Sequence, residues 1–261
     1  MAKTLRLDAE LVRRGLAESR SAARRAIEEG HVVVRGMPAT RAATMVSPED
    51  SLTISDRPRR FVSRGGDKLA GALDRLNVDV AGRAWLDAGA STGGFTDCLL
   101  QAGAASVIAV DVGYGQLDWR IRNDERVTVL ERTNVRSLAA ADLPRRPQGV
   151  VADLSFISLT LVLSALADVM DRRGDLLLMV KPQFEVGRDA VGKGGVVSNP
   201  ALWLESVLGV VDAAESRGLG LVDATASDLP GPAGNREFFV HLNRGGPHNR
   251  GAAARAVAGV E

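Results

Sequence analysis

The chain has 261 residues, of which 45% are hydrophobic and 25% are charged. This is the composition of an ordinary globular protein rather than a disordered or fibrous one. The longest nearly apolar stretch, residues 159–170, is too short to span a bilayer, and the first residues lack the apolar region of a signal peptide. Cys98 is the only cysteine, so an internal disulfide and a cysteine-based zinc site are excluded. We therefore predict a cytoplasmic protein without a metal and without a membrane partner.

Charge divides the chain into unequal parts. The formal net charge is +1, but residues 1–64 carry 13 Lys and Arg against 8 Asp and Glu, whereas residues 65–243 carry 17 against 23. A basic segment joined to an acidic body is typical of a nucleic-acid anchor attached to an enzyme that uses carboxylates. On charge alone, a solvated basic helix face explains the first segment equally well.

The first segment is predicted to contain two short helices and small hairpins. Apolar residues at helical spacing predict a helix over residues 7–15, and a second helix is predicted over residues 20–29, with Ser19 as its N-cap and Gly30 just after its end. The strand candidates that follow are residues 31–35 and 51–54, with a turn at residues 36–38 after the first of them.

Arginines are concentrated on these helices. Arg20 and Arg24 lie one turn apart on the second helix, so their guanidinium groups can share one surface and bind phosphates. The predicted RNA-binding residues are Arg6, Arg13, Arg14, Arg20, Arg24 and Arg25.

This segment resembles an S4 RNA-binding domain over about the first 55 residues. It departs from the usual pattern at Arg35-Gly36, where Asn-Gly is common in the hairpin. The matching stretches are residues 6–8 (RLD), 11–16 (LVRRGL), 19–22 (SRSA) and 27–34 (IEEGHVVV).

The second segment alternates short apolar runs with stretches of helical length. Runs without polar alternation indicate strands buried on both faces, which favours a parallel sheet covered by helices on each side. The predicted fold class is therefore α/β, with a doubly wound Rossmann-like sheet. The predicted strands are residues 84–86, 107–110, 127–130, 150–152 and 176–180, and the predicted helices are residues 95–102, 117–122 and 159–170.

The first of these strands leads into a glycine-rich turn over residues 87–95 (DAGASTGGF), and Asp111 follows Gly89 by 22 residues. Such a turn, with an acid about 20 residues later to hold a ribose, is typical of a nucleotide site. The turn lacks G-x-G-x-x-G, and Asp87 suits an ammonium group, so S-adenosylmethionine fits better than a dinucleotide; a tight turn that simply needs glycine is the alternative. The predicted cofactor-binding residues are Asp87, Gly89, Ala90, Ser91, Gly93, Gly94, Asp111, Asn134 and Asp153.

Four charged residues accompany the predicted sheet. Asp153 follows the fourth strand and Lys181 the fifth, Lys68 precedes the block, and Glu237 precedes a last apolar run at residues 238–240. Each one alone would be interpreted as a surface charge. Together their order resembles the Lys-Asp-Lys-Glu tetrad of FtsJ-type RNA ribose 2′-O-methyltransferases.

From residue 6 to about residue 242 the chain resembles the TlyA (hemolysin A) family of rRNA cytidine-2′-O-methyltransferases. The resemblance implies S-adenosylmethionine as cofactor, ribosomal RNA in ribosomal subunits as partner, and Lys68, Asp153, Lys181 and Glu237 as catalytic residues. The motifs that carry it are residues 62–69 (VSRGGDKL), 86–96 (LDAGASTGGFT), 111–117 (DVGYGQL), 153–159 (DLSFISL), 180–185 (VKPQFE) and 231–237 (GPAGNRE).

The chemistry expected of the tetrad follows from the substrate. A ribose 2′-hydroxyl is a poor nucleophile at neutral pH, so its proton must be drawn away as the new C–O bond forms. Lys181 is the candidate that stabilises the developing alkoxide or accepts this proton, while Asp153 and Glu237 orient the ammonium groups. Alignment of the reacting atoms is expected to supply much of the rate.

The predicted domain organisation is an S4-like domain over residues 1–57, a linker over 58–64, an FtsJ-like methyltransferase domain over 65–243 and a mobile tail over 244–261. Three other functions remain open at this point: a membrane-lytic protein, a small-molecule methyltransferase, and an RNA-binding assembly factor without activity. No apolar span or strongly amphipathic cationic helix supports the first. The S4-like arginines count against the second, and the intact tetrad against the third.

Overall fold

The chain divides into two compact units, Met1–Ser63 and Arg64–Glu261. The computed structural model describes residues 4–28, 30–39, 41–54, 60–231 and 233–260. Residues 58 and 59 of the predicted linker lie outside the described residues, and Arg64, the last residue assigned to that linker, begins the first helix of the second unit. The two units are described separately below.

The first unit packs two helices against short strands. Strand β2 pairs with both β3 and β5, and β1 pairs with β4. Residues 35 and 36 form the turn between β2 and β3 with φ of 52° and 77°, so Arg35-Gly36 adopts the left-handed conformation that Asn-Gly usually supplies. The predicted turn therefore lies one residue earlier than expected. The elements are β1 (Leu5–Arg6), α1 (Leu7–Arg13), α2 (Arg20–Glu28), β2 (Val32–Val34), β3 (Met37–Pro38), β4 (Met45–Val46) and β5 (Leu52–Ile54).

The second unit alternates strands and helices, as the sequence predicts. Most predicted elements agree with the structure to within two residues. The elements are α3 (Arg64–Arg75), β6 (Ala84–Ala88), α4 (Gly94–Gln101), β7 (Ser106–Val110), α5 (Trp119–Arg122), β8 (Val127–Leu130), β9 (Gly149–Ala152), α6 (Leu163–Val169), β10 (Asp175–Val180), α7 (Pro182–Glu185), α8 (Pro200–Glu215), β11 (Leu219–Ala226), β12 (Phe238–Arg244) and α9 (Gly251–Ala258).

The sheet of the second unit has seven strands in the order β11-β12-β10-β9-β6-β7-β8. The strands β10, β9, β6, β7 and β8 are parallel, while β12 runs antiparallel to both β10 and β11. The predicted α/β fold class is thus confirmed, with an antiparallel hairpin added at one edge. Side chains of the central strands are almost completely buried because helices cover both faces of the sheet.

The strand order places a switch point between β6 and β9. Strand β6 lies between β7 on one side and β9 on the other, so the chain winds outward in opposite directions from this pair. In an open sheet of this kind, ligands bind beyond the carboxyl ends of the strands at the switch point. Asp87 is the penultimate residue of β6 and Asp153 directly follows β9, so two of the predicted site residues lie at this point of the sheet.

The C-terminal segment differs from the prediction. Residues 244–261 were predicted to be mobile, but α9 buries Ala252, Ala253, Ala256 and Val257 in the core of the second unit. Alanines give a weak hydrophobic signal in the sequence, although on a helix their spacing forms one continuous face. The predicted helix over residues 159–170 is also divided, into a single 3₁₀ turn at Leu159–Leu161 and α6.

The described residues lack two kinds of feature. No helix among them is both long and apolar enough to cross a membrane. Within the same residues, no group of three His, Cys, Asp or Glu side chains is arranged to hold a metal ion.

An ion cluster lies at the end of the sheet where the parallel strands begin, opposite the end that carries the predicted site residues. Asp175, the first residue of β10, accepts hydrogen bonds from His241 Nε2 at 2.8 Å and Arg83 Nη2 at 2.7 Å. Burial by itself would raise the pKa of the Asp175 carboxyl, but these partners outweigh it and lower the pKa to about 2 from an ordinary value of 3.8. The ionised carboxylate therefore stabilises the fold.

Replacing Asp175 by asparagine is expected to lower the free energy of unfolding by about 2 kcal/mol at pH 7. Because the pKa is lower in the folded state, this contribution is present above about pH 4 and is lost as the pH falls toward 2. Urea unfolding of both proteins between pH 7 and pH 3 measures it. Asp168→Asn, at an exposed carboxylate, is the control. A difference between wild type and Asp175→Asn that stays constant over this range would contradict the assignment.

Candidate functional site

The glycine-rich turn connects β6 to α4 and is fixed from two sides. A Cβ at Gly89 would lie 2.6 Å from the backbone oxygen of Asp153, and Gly89 has φ of 87°, so no other residue fits this position without strain. Asp111, after β7, accepts hydrogen bonds from Ser91 N at 2.8 Å and Gly113 N at 2.7 Å. The Asp111 carboxylate thus ties the turn to the neighbouring loop.

A cavity of about 580 Å³ lies beyond the carboxyl ends of β6, β7 and β9. This volume is in the range of small-molecule and cofactor sites. Its polar lining comes from Ser91, Asp111, Gln116, Thr133, Asn134, Arg136, Asp153 and Ser155, and its apolar lining from Val112, Val135, Leu154, Phe156, Ile157 and Val162.

The structure brings most of the predicted cofactor residues to this cavity. Gly89, Ser91, Asp111, Asn134 and Asp153 line it. Ala90 lines a small pocket that also includes Ser91 and Asp111. Gly93 and Gly94 do not line the cavity; they form the start of α4 instead.

Asp87 differs from the prediction. Its side chain is fully buried and does not line the cavity, so it is not placed to contact an ammonium group directly. Its Oδ2 accepts a hydrogen bond from Thr96 Oγ1 at 2.7 Å, while Oδ1 has no partner among the described residues. Burial raises the pKa of the Asp87 carboxyl to about 7. Asp87 therefore supports the glycine-rich turn from the buried side, through its contact with Thr96, and not from the cavity.

The cavity suits a ligand that carries both a ribose and a positive charge. Asp111 keeps carboxylate lone pairs beyond its two amide contacts, and these can accept hydrogen bonds from ribose hydroxyls. Asp153 also lines the cavity, and its Oδ1 lies 2.5 Å from Lys181 Nζ. The two carboxylates outnumber Arg136 among the charged residues that line the cavity, which favours a cationic ligand. S-adenosylmethionine meets these requirements.

The four predicted catalytic residues form two ion pairs. Lys181 Nζ lies 2.5 Å from Asp153 Oδ1, in an ion pair without hydrogen-bond geometry, and donates a hydrogen bond to Ser155 Oγ at 3.0 Å. Lys68 Nζ donates to Glu237 Oε2. Lys68, Lys181 and Glu237 are all buried. Asp153 and Ser155 line the cavity, so the Lys181 amine lies directly behind its wall.

The register of the sheet explains how Glu237 reaches this place from 56 residues further along the chain. Val180, the last residue of β10, pairs with Phe238, the first residue of β12. Lys181 and Glu237 therefore leave the sheet at the same edge. The tetrad therefore depends on β12 running antiparallel to β10, and the sequence analysis did not predict the direction of this strand.

The loop before β12 fits closely around Glu237. A Cβ at Gly231 would lie 2.7 Å from Glu237 Oε1, so a larger residue would displace the carboxylate. The buried Asn235 accepts a hydrogen bond from Val197 N at 2.9 Å and donates one to Gly195 O at 2.8 Å. The glycine and asparagine of motif 231–237 thus hold the catalytic candidate in position, a role that the sequence did not reveal.

The loop after β9 contributes two residues that sequence reasoning did not assign. Ser155 contacts Lys181, and Phe156 lies at the cavity with 91% of its surface exposed and φ of 64°. Backbone strain of this kind at a bulky residue is concentrated at functional sites. Phe184 packs against the Phe156 ring at 5.2 Å, and Glu185 accepts a hydrogen bond from Leu159 N at 2.8 Å, so α7 supports the loop. The sequence feature that could have indicated their roles is the presence of Ser155 and Phe156 in the motif at residues 153–159.

The predicted RNA-binding arginines fall into two groups around buried acids. Arg6, Arg20 and Arg24 contact Asp8, whereas Arg13 and Arg14 contact Glu10. Arg25 is exposed and has no side-chain partner among the described residues.

Arg14 differs from the other predicted RNA-binding arginines. It donates to Glu10 and to the backbone oxygens of Ser47, Pro48 and Asp50, which uses four of its five N–H donors. Arg14 therefore connects α1 to the loop before β5 and has little capacity for a phosphate.

Replacing Asp111 by alanine is expected to weaken cofactor binding about 100-fold, because it removes both the ribose acceptor and the two amide contacts that fix the turn. Calorimetry with S-adenosylmethionine measures the change. Asp118→Ala, at a carboxylate that does not line the cavity, is the control and should bind normally. Equal affinities for wild type and Asp111→Ala would show that the ligand lies elsewhere.

Comparison with known proteins gives matches over both units. The model of the FtsJ-like methyltransferase family matches residues 61–244, and the S4 domain model matches residues 5–52. The chain is 55% identical to the 16S/23S rRNA (cytidine-2′-O)-methyltransferase TlyA of Mycobacterium tuberculosis, over 93% of this chain and 91% of that protein. It is 35% identical to Hemolysin A of Brachyspira hyodysenteriae, over 91% and 99% of the two chains. The solved structure of a hemolysin candidate from Streptococcus thermophilus is 35% identical, with a TM-score of 0.75 over 98% of this chain and 96% of that one.

Proposed function

Because the chain belongs to the TlyA family, in which an S4 domain precedes an FtsJ-like methyltransferase domain, we propose that it methylates the 2′-hydroxyl of a cytidine in ribosomal RNA. S-adenosylmethionine is the methyl donor. The observation that carries the proposal is the Lys181–Asp153 ion pair at the wall of the cavity beyond the switch point. It places a basic group beside the space that a methyl donor would occupy.

The cavity residues have separable roles in holding the cofactor. When bound, S-adenosylmethionine supplies an electrophilic methyl group on a positively charged sulfur. Asp111 accepts hydrogen bonds from the ribose, and Gly89 lets the backbone approach the ligand without a side chain between them. The Asp153 carboxylate favours the positive charge. These groups bind and orient the ligand; they do not take part in bond formation.

Lys181 is assigned to the proton of the substrate. The 2′-hydroxyl must release this proton as its oxygen bonds to the methyl carbon. Lys181 Nζ either stabilises the developing alkoxide as an ammonium group, with the proton passing to solvent, or accepts the proton as a neutral amine. Asp153 and Ser155 hold Nζ from two directions. The buried Lys68–Glu237 pair adds a second fixed ammonium group near the same edge of the sheet.

The RNA is held by two kinds of contact. The S4 arginines supply attraction to phosphates. Phe156, exposed at the cavity, offers a flat surface on which a base can stack. A nucleotide in a helix must be turned out of its stack to bring its 2′-hydroxyl in line with the methyl group, so binding of the flanking RNA has to offset that cost. Anchoring and presentation are therefore both required for catalysis.

Transfer of radiolabel from S-adenosylmethionine to unmodified ribosomal subunits tests the proposal. We expect label on the ribose of one or a few cytidines, mapped by resistance of the 2′-O-methylated position to alkaline cleavage. Subunits methylated beforehand with unlabelled cofactor are the matched control and should accept no label. Label on a base, or none despite tight subunit binding, would contradict the proposal, and the second result would favour an assembly factor.

A further inference from the structure

We propose that the buried carboxylate of Asp8 is a positioning group that arranges three arginines into one phosphate-binding surface for RNA. The inference rests on the proposed anchoring of RNA by the first unit. It adds a function for an acidic residue in a surface where, by charge alone, an acid would only weaken binding.

Asp8 lies at the start of α1 and its side chain is fully buried. Its Oδ1 accepts a hydrogen bond from Arg6 Nε at 3.1 Å. Its Oδ2 accepts from Arg20 Nη2 at 2.9 Å and from Arg24 Nε at 3.1 Å, and Arg6 Nη2 also contacts it at 3.3 Å. One carboxylate therefore gathers arginines from β1 and from two successive turns of α2.

The three arginines remain available to a ligand. About half of each side chain is exposed, although Asp8 is not. Arg20 and Arg24 each spend one nitrogen on Asp8 and keep their other N–H groups, since a guanidinium has five donors. One negative charge against three positive charges leaves the cluster with a net charge of +2. The surface thus stays strongly attractive to phosphates.

Asp8 remains ionised in this environment. Its burial alone would raise the pKa of the carboxyl, but the hydrogen bonds from Arg6, Arg20 and Arg24 hold the pKa well below the ordinary value. A buried charge is retained only where partners compensate for its lost hydration. The arginines are consequently fixed in one arrangement before RNA binds, and less side-chain entropy is lost on binding.

The neighbouring Glu10 in the same helix holds an arginine whose donors are used within the unit. Glu10 is also buried and binds Arg13 and Arg14. Arg14, however, spends its remaining donors on backbone oxygens of the same unit and is only 22% exposed. Among the described residues, no backbone oxygen accepts hydrogen bonds from the outer donors of Arg20 and Arg24 in this way. Arg14 thus differs from Arg20 and Arg24 in the number of donors that it leaves for RNA.

The test is Asp8→Asn in the full-length chain, with affinity for unmodified ribosomal subunits measured between 50 and 300 mM KCl. Asparagine keeps the size of the side chain but removes the charge and places an N–H₂ group against the arginines. We expect binding at physiological salt about tenfold weaker, with a shallower dependence on salt.

Asp50→Asn is the matched control, because it removes one negative charge from the same unit. Asp50 pairs with Arg35 at 2.6 Å and, among the residues that the structure describes in this unit, makes no hydrogen bond or ion pair with Asp8, Arg6, Arg20 or Arg24. If acids only repel RNA, both variants should bind more tightly and with a steeper salt dependence. Affinity of Asp8→Asn equal to or above that of Asp50→Asn would overturn the proposal.

A variant at an exposed position covers the case in which Asp8→Asn unfolds the first unit, as shown by circular dichroism. Arg24→Lys keeps the charge, but an ammonium group cannot contact Asp8 and a phosphate through opposite edges as a guanidinium does. We expect about fivefold weaker binding, and unchanged affinity would refute the proposal.

Failure of the proposed anchoring has a different signature. If the triple variant Arg6→Gln, Arg20→Gln and Arg24→Gln binds ribosomal subunits as tightly as wild type, the first unit does not anchor RNA through this surface. If the triple variant binds weakly while Asp8→Asn binds normally, the anchor stands and only the role of Asp8 is rejected.

Discussion

Replacing Lys181 by alanine is expected to reduce the rate of methyl transfer about 10³-fold while leaving affinity for S-adenosylmethionine within about threefold. The reason is that Lys181 Nζ lies behind the cavity wall, in contact with Asp153 and Ser155, and its proposed action is on the hydroxyl of the RNA rather than on the cofactor. Its interaction is made in the transition state and not in the ground state. Single-turnover methylation of ribosomal subunits and calorimetry with the cofactor measure the two quantities.

Lys181→Arg separates the two chemical roles left open for this residue. Arginine keeps the positive charge that would stabilise an alkoxide but stays protonated at all accessible pH values. Activity well above that of Lys181→Ala would favour electrostatic stabilisation, and equally low activity would favour proton acceptance. A turnover rate of Lys181→Ala within tenfold of wild type would exclude Lys181 from the chemistry.

Removing residues 1–60 is expected to leave a folded chain that binds S-adenosylmethionine but loses more than about 100-fold in kcat/KM on ribosomal subunits. The FtsJ-like match begins at residue 61, and the second unit has its own seven-stranded sheet and core. The lost unit carries the arginine surface that is proposed to anchor RNA. Without this attachment, the catalytic unit must capture each subunit by its own contacts alone.

Thermal denaturation and calorimetry on the truncated chain establish folding and cofactor binding, and methylation on the same sample decides the role of the first unit. The full-length chain carrying the Asp111→Ala exchange is a useful reference, since it should show the reverse pattern of normal subunit binding with weak cofactor binding. If the truncated chain retains subunit methylation within a few-fold of wild type, the catalytic unit selects its own RNA.

Much of the fold was predictable because local sequence patterns report burial directly. The apolar runs at residues 84–86, 107–110, 150–152 and 176–180 indicated strands covered on both faces, and such strands are typical of the α/β class. The glycine-rich turn and Asp111 were equally predictable, because the spacing between them is that of one βαβ unit. The α9 helix was missed because alanine spacing alone does not show whether a helix has a core to pack against.

The sequence by itself determined the five parallel strands of the sheet, the order of the charged residues along the chain and the family resemblance that assigns roles to those residues. Only the tertiary structure decided which charge pairs with which: Lys68 with Glu237 across 169 positions, and Lys181 with Asp153 between the ends of the adjacent strands β10 and β9. The tertiary structure also decided that the Asp87 side chain is buried beside the glycine-rich turn and that Arg14 donates hydrogen bonds to backbone oxygens. Periodicity records whether a side chain is buried, but an ion pair depends on the distance between two atoms, and that distance is set by strand order, register and packing.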